Sequence, residues 1–248
     1  MGRGYQGAVL NLLRAPEFDL DITEVSEVGQ YTRLRVRNEE LLGHGRVRDL
    51  PPTTWVRLWV PEAGREHQRA YSLAEVDRDR GEATIYVLHH TPDGPASRWA
   101  LSVAPGGFVS AQLYGGTKYR APDPGSSMLL VGDPTSAPAI GEALAAAPAS
   151  CRIHVVLRAQ EEMWLPMDSA ATPVTCVPPG ADIGELVEAV TGACPQGTPD
   201  WAWVALEGAD TRAVRRHLQH AGLPRNALQH QAYWVRGRAM GISEDSAG

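Results

Sequence analysis

The 248-residue sequence has few cysteines, few phenylalanines and no long apolar run. Its cysteines, Cys151, Cys176 and Cys194, are far apart and odd in number, which argues against a disulfide framework or a zinc site. The N-terminal run AVLNLL is interrupted by Asn11 and followed by Arg14, so it is too short for a signal peptide core or a membrane span. We expect a small amphipathic surface helix there, cytoplasmic residence and no stable membrane insertion.

An excess of positive charge is also missing. The formal net charge of -6 argues against nucleic acid as a partner, because phosphate binding usually needs a basic domain or a basic stripe. An acidic protein can still contain a basic pocket, so an anionic small molecule stays open as a ligand. The hydrophobic fraction of 43% and the charged fraction of 21% are those of an ordinary folded protein.

The first half of the sequence alternates apolar and polar residues, as antiparallel strands do. These stretches are rich in Val, Leu, Thr, Tyr and Trp and are separated by Gly, Pro and Asp: 21–28, 31–38, 53–61, 69–77, 83–90 and 108–115. Short strands at this spacing predict an antiparallel sheet or a β barrel. Between the last two, a helix is predicted to begin near Pro95 and Ser97 and to end before Pro105.

The second half alternates strands with helices. Pro122, Pro124 and Gly125 indicate a linker, and the apolar run Met128–Val131 after it is typical of a strand buried in a parallel sheet. The further strands and helices are predicted at 136–148, 151–159, 172–178, 182–190, 201–208, 210–222 and 228–237. The sequence therefore predicts an antiparallel barrel domain over 1–124 and a doubly wound, parallel-sheet α/β domain over 125–248.

The stretch RAYS at 69–72 carries polar side chains within a predicted strand. Arg69 and Tyr71 are expected on one face, and Ala70 and Ser72 on the other. Such a strand could offer an arginine to a phosphate and a phenol ring to a flat aromatic ligand. An exposed cross-strand pair with no ligand is the alternative for this motif taken alone.

The stretch GPASRWA at 94–100 follows His89 and His90 and begins the predicted helix. A glycine before a helix leaves backbone N–H groups unsatisfied in the first turn, and these groups favour anions such as a pyrophosphate. A simple capped helix is the alternative. Neither histidine has an Asp or Cys at a recognisable metal-ligand spacing, so no metal site is predicted.

A third stretch, VGDPTSAPAI at 131–140, joins an apolar strand to a helix. Nucleotide phosphates bind at this position in open α/β sheets. The stretch contains neither Gly-x-Gly-x-x-Gly nor a phosphate loop with Gly-Lys-Ser/Thr, so the motif by itself leaves phosphate recognition open.

Two further stretches complete an ordered set of motifs: RAYS at 69–72, GPASRWA at 94–100, GDPTSAPAI at 132–140, WVALEG at 203–208 and YWVRG at 233–237. In this order they resemble the siderophore-interacting protein family, a branch of the ferredoxin-reductase-like flavoproteins. The resemblance covers nearly the whole chain, and the ordered set is far more specific than any one motif.

The resemblance implies a barrel that binds FAD. It assigns RAYS to the flavin side and the GPAS turn to the pyrophosphate, together with a histidine that is either His89 or His90. The residues that the resemblance assigns to FAD are Arg69, Ala70, Tyr71, Ser72, His89, His90, Gly94, Pro95, Ala96, Ser97, Thr135 and Trp234.

The resemblance also implies an NAD(P)H-binding half and the reduction of ferric siderophores, with NADPH, NADH or an electron-donor protein as the reductant. The nucleotide would be bound by Gly132, Asp133, Thr135 and Glu207. A basic rim for a small-molecule substrate would include Arg236 and Lys118, with Arg120 and Arg238 as further candidates. The catalytic residues stay unassigned at this point, and the cofactor would carry the redox chemistry.

The sequence departs from the family pattern at four positions. A second arginine after the tyrosine motif is replaced by Ala74, a glycine before Glu207 by Leu206, and an acidic residue after Asp133 by Pro134. Val235 displaces the C-terminal basic residue by one place. Leu206 is expected to hinder nicotinamide access. These departures keep two alternatives open: a relative recruited to a flavin-assisted redox or cyclisation step in biosynthesis, and a non-catalytic flavoprotein that binds a ligand.

Overall fold

Two sheets, one antiparallel and one parallel, organise the chain in a computed structural model that describes residues 16–113 and 119–237. The described residues form two compact units, 16–113 and 119–237. The predicted N-terminal helix, Lys118 and Arg238 lie outside the described residues. Residues 119–124, which the sequence assigns to the barrel, group with the second unit, where the Tyr119 ring lies edge-on to Trp201 at 5.5 Å.

The first unit is a seven-stranded antiparallel sheet with one short helix. Its elements are β1 Glu17–Val28, β2 Tyr31–Arg37, β3 Trp55–Glu62, β4 Arg65–Ser72, β5 Ala74–Asp77, β6 Glu82–Leu88, α1 Pro95–Ala100 and β7 Phe108–Gln112. The strand order is β4-β3-β7-β1-β2-β6-β5. Leu20, Leu34, Leu58, Ile85 and Trp99 belong to one hydrophobic core, so the inward faces of the strands meet around it as in a barrel.

The sequence predicts one strand over 69–77, and that prediction is wrong. The chain forms β4 paired with β3, then leaves that ladder at Leu73 and forms β5 paired with β6. The Leu73 N–H donates to the Thr54 carbonyl at 2.9 Å, and Glu75 has a positive φ of 50°. The change of partner strand interrupts the pairing, and Ser72, Leu73 and Ala74 are consecutive buried residues at the break.

The second unit is a five-stranded parallel sheet with helices. Its elements are β8 Ser127–Gly132, α2 Ala137–Ala146, β9 Arg152–Arg158, β10 Val174–Val177, α3 Ile183–Gly192, β11 Trp201–Glu207, α4 Gly208–His220, a 3₁₀ turn Arg225–Ala227 and β12 Leu228–Trp234. Alternate residues of β11 pack into two cores, Val204 with α3 and α4 and Ala205 with α2. The predicted doubly wound α/β arrangement is confirmed.

The spatial strand order of this sheet is β10-β9-β8-β11-β12. The chain therefore builds β8, β9 and β10 toward one edge and then returns to the other side of β8 to add β11 and β12. In open α/β sheets a ligand binds at this reversal, in the crevice at the carboxyl ends of the two central strands. Within the described ranges no helix is long and apolar enough to cross a membrane, and the three cysteines are free thiols.

Candidate cofactor and nucleotide sites

The RAYS strand alternates as its sequence predicts. Arg69 pairs with Leu58 and Tyr71 with Val56, and Tyr71 packs against the barrel core. Ala70 on the other face is exposed. Burial raises the pKa of the Tyr71 phenol, so this group stays protonated and can donate a hydrogen bond. The half-buried Arg69 donates from Nη1 to the Gln68 carbonyl at 2.7 Å, which leaves most of its N–H groups for another acceptor.

The two adjacent histidines have different environments. His89 lies between two hydroxyl groups: its Nε2 is 2.8 Å from Thr32 Oγ1, and its Nδ1 is 2.8 Å from Ser97 Oγ. This chain of hydrogen bonds joins the end of β6 to β2 and α1. His90 is exposed, and its ring lies 3.8 Å from the place that a Cβ atom would take at Gly94. His90 therefore borders the GPAS turn, while His89 is held inside the unit.

The GPAS turn begins α1 without help from a side chain. Gly94 is the N-cap, with extended backbone, and Pro95 follows inside the first turn. No side-chain hydrogen bond caps this end within residues 16–113. Ala96 and Ser97 are buried, so the turn is packed against the core while Gly94 and Pro95 stay partly accessible. Its geometry fits an anion that accepts hydrogen bonds from backbone N–H groups.

Ala74 takes the position where the family pattern has a second arginine. Ala74 is 3% exposed, so this side chain is part of the packed layer. Two arginines of β2 approach the same segment: Arg35 Nη1 donates to the Glu75 carbonyl at 3.1 Å, and Arg33 Nη2 donates to the Glu75 carboxylate at 2.9 Å. Positive charge is therefore present beside Ala74, although it is paired with Glu75.

The Glu75 carboxylate also accepts hydrogen bonds from Tyr86 Oη at 2.5 Å and from Thr84 Oγ1 at 2.7 Å. Burial and this contact with Glu75 raise the pKa of Tyr86 to about 12.

We expect Glu75→Gln to lower the pKa of Tyr86 part of the way toward 10.0, because the substitution removes the negative charge and leaves Tyr86 buried. An ultraviolet titration of wild type, Glu75→Gln and Tyr86→Phe measures it. The control is Glu24→Gln, since Glu24 pairs with Arg33 at 3.1 Å; an equal shift in that variant would contradict the assignment.

In the second unit, the carboxyl ends of β8 and β11 are joined by one serine. Ser136 is fully buried at the start of α2, and its Oγ lies 2.7 Å from the Ala205 carbonyl of β11 and 3.0 Å from the Asp133 N–H. A Cβ atom at Gly132 would lie 2.4 Å from Ser136 Oγ and 2.5 Å from Ile140 Cδ1. The turn after β8 therefore requires glycine at residue 132, because α2 approaches the strand too closely for any side chain.

Asp133 is the buried acid of this turn, at 5% exposure. Its Oδ1 accepts from the Thr135 N–H at 2.9 Å and from Thr135 Oγ1 at 2.5 Å. Its Oδ2 accepts from Trp234 Nε1 at 2.8 Å, so the indole at the end of β12 reaches across the end of β11 to the β8 turn. Burial raises the pKa of Asp133, and these hydrogen bonds oppose only part of that effect.

A raised pKa gives a definite sign to the pH dependence of stability. The folded protein holds a proton on Asp133 at pH values where the unfolded chain has lost it, so this contribution to stability decreases as pH rises above 3.8. We expect the free energy of unfolding of wild type, relative to Asp133→Asn, to fall with pH in that window, by at most about 1.4 kcal/mol per pH unit. Denaturant unfolding at a series of pH values measures it.

Asp200→Asn is the matched control, because its stability difference from wild type should change with pH in the opposite direction. Hydrogen bonds from Ser127 lower the pKa of Asp200, so its contribution is present above pH 3.8 and is lost as pH falls through the lowered pKa. The difference between wild type and this variant should therefore rise with pH. If the Asp133→Asn difference rises as well, folding lowers the pKa of Asp133 instead of raising it.

Glu207 closes the same edge from β11. It is 8% exposed and is the N-cap of α4, where its carboxylate accepts from the Ala209 N–H and, at 3.2 Å, from the Arg236 N–H. These backbone hydrogen bonds outweigh burial and lower the pKa of Glu207, so the group is an anion. Both oxygens of the Glu207 carboxylate already accept hydrogen bonds from backbone N–H groups. The carboxylate is therefore not free to accept hydrogen bonds from the hydroxyls of a ribose.

The expectation that Leu206 obstructs a ligand is wrong. Its side chain is fully buried and belongs to the core formed with α3 and α4, so it does not extend from the strand end. Val235 is half-buried, and it lies 3.3 Å from the place a Cβ would take at Gly208. Arg236 is exposed, so its guanidinium is accessible at this edge.

The structure thus brings the predicted residues together in two groups. The residues from Arg69 to Ser97 lie in the first unit; Gly132, Asp133, Thr135, Glu207, Trp234 and Arg236 lie at the carboxyl edge of the second. Sequence reasoning missed Thr32 and Ser136, which are buried hydroxyls fixed by partners distant in sequence. Residues 16–113 and 119–237 contain no group of three or more His, Cys, Asp or Glu that could hold a metal ion.

Comparisons with known proteins agree with both units. The profile of the siderophore-interacting FAD-binding domain matches residues 19–112, and that of the siderophore-interacting protein matches 125–237. The mycobactin import ATP-binding/permease protein IrtA of Mycolicibacterium smegmatis is 32% identical over 97% of this chain, and that of Mycobacterium tuberculosis is 30% identical over 97%. The chain spans only 28% of the length of these two relatives.

Solved structures share the fold. The siderophore-interacting protein SipS from Aeromonas hydrophila superposes with a TM-score of 0.72 at 21% identity, covering 91% of this chain and 94% of that one. A ferredoxin NADP+ reductase from Neisseria gonorrhoeae, with bound FAD and NADP, gives 0.66 at 14% identity, covering 89% and 100%. The fold is ferredoxin-reductase-like, as the sequence predicts. With both profiles matched in order, the chain belongs to the siderophore-interacting protein family, and its first unit is the family's FAD-binding domain.

Proposed function

We propose that this protein is an FAD-dependent reductase of ferric siderophores, with NAD(P)H as its electron donor. The observation that carries the proposal is the close turn after β8, where Gly132 leaves no room for a side chain beside Ser136 and Ile140. A glycine turn between the first strand and its helix, at the reversal point of a parallel sheet, suits the phosphates of a dinucleotide. It accompanies an FAD-binding domain, which supports a donor that delivers its electrons to FAD.

The first unit offers a consistent set of groups for FAD. The GPAS turn supports it with an uncapped helix start that fits a pyrophosphate, and Arg69 supplies a guanidinium on the neighbouring strand. Tyr71 would face the ring system, while Ser72 lies on the opposite face of β4 and is buried. His90 would border the phosphates, and His89 fixes Ser97. When bound, FAD supplies the single-electron chemistry that converts Fe(III) to Fe(II).

The protein's own task is to hold an anionic iron complex near that cofactor. Siderophores bind Fe(III) through hard oxygen ligands. Their affinity for Fe(II) is lower, because this ion is softer and carries less charge. The exposed Arg236 is a candidate for the positive rim, and Lys118 stays a prediction outside the described residues. Cytoplasmic residence belongs to this proposal, because NAD(P)H is a cytoplasmic reductant.

The names of the curated relatives indicate which substrate to test first. Both are mycobactin import proteins, so ferric mycobactin is the first siderophore to offer. The alternative of a relative recruited to biosynthesis depends on the departures from the family pattern. Two of those departures support the alternative less than the sequence suggests. Leu206 is buried in the core, and Arg35 lies beside Ala74, where its guanidinium donates to the Glu75 carbonyl.

An anaerobic stopped-flow experiment tests the proposal. We expect the FAD-loaded protein to lose its oxidised flavin absorbance on mixing with NADPH or NADH, and to regain it when ferric mycobactin is added with a ferrous chelator. Free FAD at the same concentration is the control. Bleaching by neither nucleotide would overturn the donor assignment and leave an electron-donor protein as the reductant. If flavin reduced chemically on the protein leaves the siderophore ferric while free reduced flavin reduces it, the reductase function is wrong.

A further inference from the structure

The residues that the resemblance assigns to FAD in the first unit lie on two separate elements. One group, residues 69–72, is on β4, and the other, within residues 89–97, surrounds the start of α1. A cofactor that contacts both groups needs them at a fixed separation. Arg98 of α1 is not among the assigned residues, yet its side chain joins the start of α1 to the end of β3.

The guanidinium of Arg98 forms hydrogen bonds in two directions. Toward β3, its Nε donates to Glu62 Oε1 at 2.6 Å, and its Nη2 lies 2.5 Å from the same oxygen. Toward the chain before α1, its Nη1 donates to the Asp93 carbonyl at 2.8 Å and to Asp93 Oδ1 at 3.1 Å. Because Glu62 pairs with Arg65 in the β3–β4 hairpin, Arg98 ties the residue before Gly94 to the hairpin that carries the RAYS strand.

The same contacts pair two carboxylates beside the start of α1 with a positive charge. Asp93 directly precedes Gly94, the N-cap of α1, and its side chain is 55% exposed. Glu62 is 26% exposed, and its other oxygen lies 3.6 Å from His67 Nε2. In the absence of the Arg98 charge, these carboxylates would repel the pyrophosphate of FAD at the GPAS turn, because like charges that lie close together are unfavourable.

We propose that Arg98 is a positioning residue of the FAD site. It holds the Asp93–Gly94 turn against the β3–β4 hairpin, and it compensates the two carboxylates that would otherwise repel the pyrophosphate. The inference rests on the proposed placement of the FAD pyrophosphate at the GPAS turn, and it is independent of the electron donor and of the substrate. Arg98 acts through Glu62 and Asp93, which occupy its donors, and not by contact with the cofactor.

An exposed ion pair with no role in binding is the competing explanation, because surface ion pairs contribute little in general. The Arg98 side chain is 46% exposed, which is compatible with that explanation. The two explanations differ for Asp93→Asn added to Arg98→Ala. If the carboxylate repels the pyrophosphate, removing its charge restores affinity for FAD. If Arg98 only stabilises the fold, the second substitution restores nothing.

Titration of the full chain with FAD, followed by flavin fluorescence, separates these cases without any turnover. We expect Arg98→Ala to weaken FAD binding by on the order of 10-fold, with a smaller loss at high salt, because salt screens the repulsion between exposed charges. Asp93→Asn alone should bind FAD as tightly as wild type, since Arg98 keeps its bond to the Asp93 carbonyl. The double variant should recover several-fold of the lost affinity. Arg98→Lys keeps the charge without the planar fork, so its affinity should be intermediate.

Arg80→Ala is the matched control, because Arg80 is also an exposed arginine of the first unit, paired with Glu82 at 3.2 Å. An equal loss in that variant would assign the effect to net charge and overturn the inference. Unchanged FAD affinity in Arg98→Ala, or a loss that Asp93→Asn does not relieve, would also overturn it and leave the FAD site intact. If Arg98→Ala fails to fold, Arg98→Gln, which keeps a donor and loses the charge, carries the same comparison. If wild type does not bind FAD, the cofactor site itself is wrong and the inference falls with it.

Discussion

The substitution Gly132→Ala is expected to destabilise the second unit by about 2–4 kcal/mol, since the new methyl group overpacks the turn and displaces buried hydrogen bonds. The Cβ atom would lie 2.4 Å from Ser136 Oγ and 2.5 Å from Ile140 Cδ1. Neither neighbour can yield easily: both are fully buried, and Ser136 is bound to the Ala205 carbonyl and the Asp133 N–H.

Moving Ser136 would also move the turn that holds Asp133 and Thr135. We therefore expect Gly132→Ala to lose NADPH binding and to weaken FAD binding only by the contribution that the resemblance assigns to Thr135 and Trp234, because the other predicted FAD residues lie in the first unit. Chemical unfolding measures the stability, and separate titrations with the nucleotide and with FAD measure the two affinities. Loss of both ligands together would indicate general misfolding and would contradict a local effect.

Gly180→Ala is the matched control in the same unit. Gly180 does not have a positive φ, and no described atom lies within 4 Å of its added Cβ. Its stability should change by less than about 0.5 kcal/mol, as for an ordinary surface position. If Gly132→Ala were as stable as Gly180→Ala, the close approach of α2 to β8 would not constrain the sequence.

The regular elements of both units follow from patterns within single stretches, which is why they could be predicted. Alternation marks β1 to β7, and the continuous apolar run 128–131 marks the central parallel strand. The break at Leu73 could not be predicted in this way, since a single pair of adjacent apolar residues, Leu73 and Ala74, is too weak a signal within an otherwise alternating stretch. What ends β4 is a change of neighbour from β3 to β6, which depends on the whole sheet.

The candidate sites were predictable where one motif supplies the residues and unpredictable where distant ones do. RAYS and GPAS are each local, and both keep their predicted strand and helix. The difference between His89 and His90 depends on Thr32, 57 residues away. The Asp133–Trp234 contact joins residues 101 apart, and Arg98 meets Glu62, 36 residues away, only because α1 packs beside β3.

Arg69→Ala is expected to weaken FAD binding by at least about 10-fold, because a hydrogen bond to a charged group contributes about 1.5–3 kcal/mol. Arg69 is half-buried beside Leu58, where water screens a guanidinium–phosphate contact less than on an open surface. Arg69→Lys should recover part of the affinity: the charge is kept, but the planar fork that binds two phosphate oxygens is lost.

The stability of the unit should change little in Arg69→Ala, since the bond from Nη1 to the Gln68 carbonyl spans only adjacent residues. Arg65→Ala is the control, because Arg65 is an exposed arginine on the same strand, four residues earlier. Titration of the apoprotein with FAD, followed by the quenching of flavin fluorescence, gives the dissociation constants. Equal affinities of the two alanine variants would mean that the Arg69 charge does not contact the cofactor, and that the pyrophosphate depends on the GPAS turn for its binding.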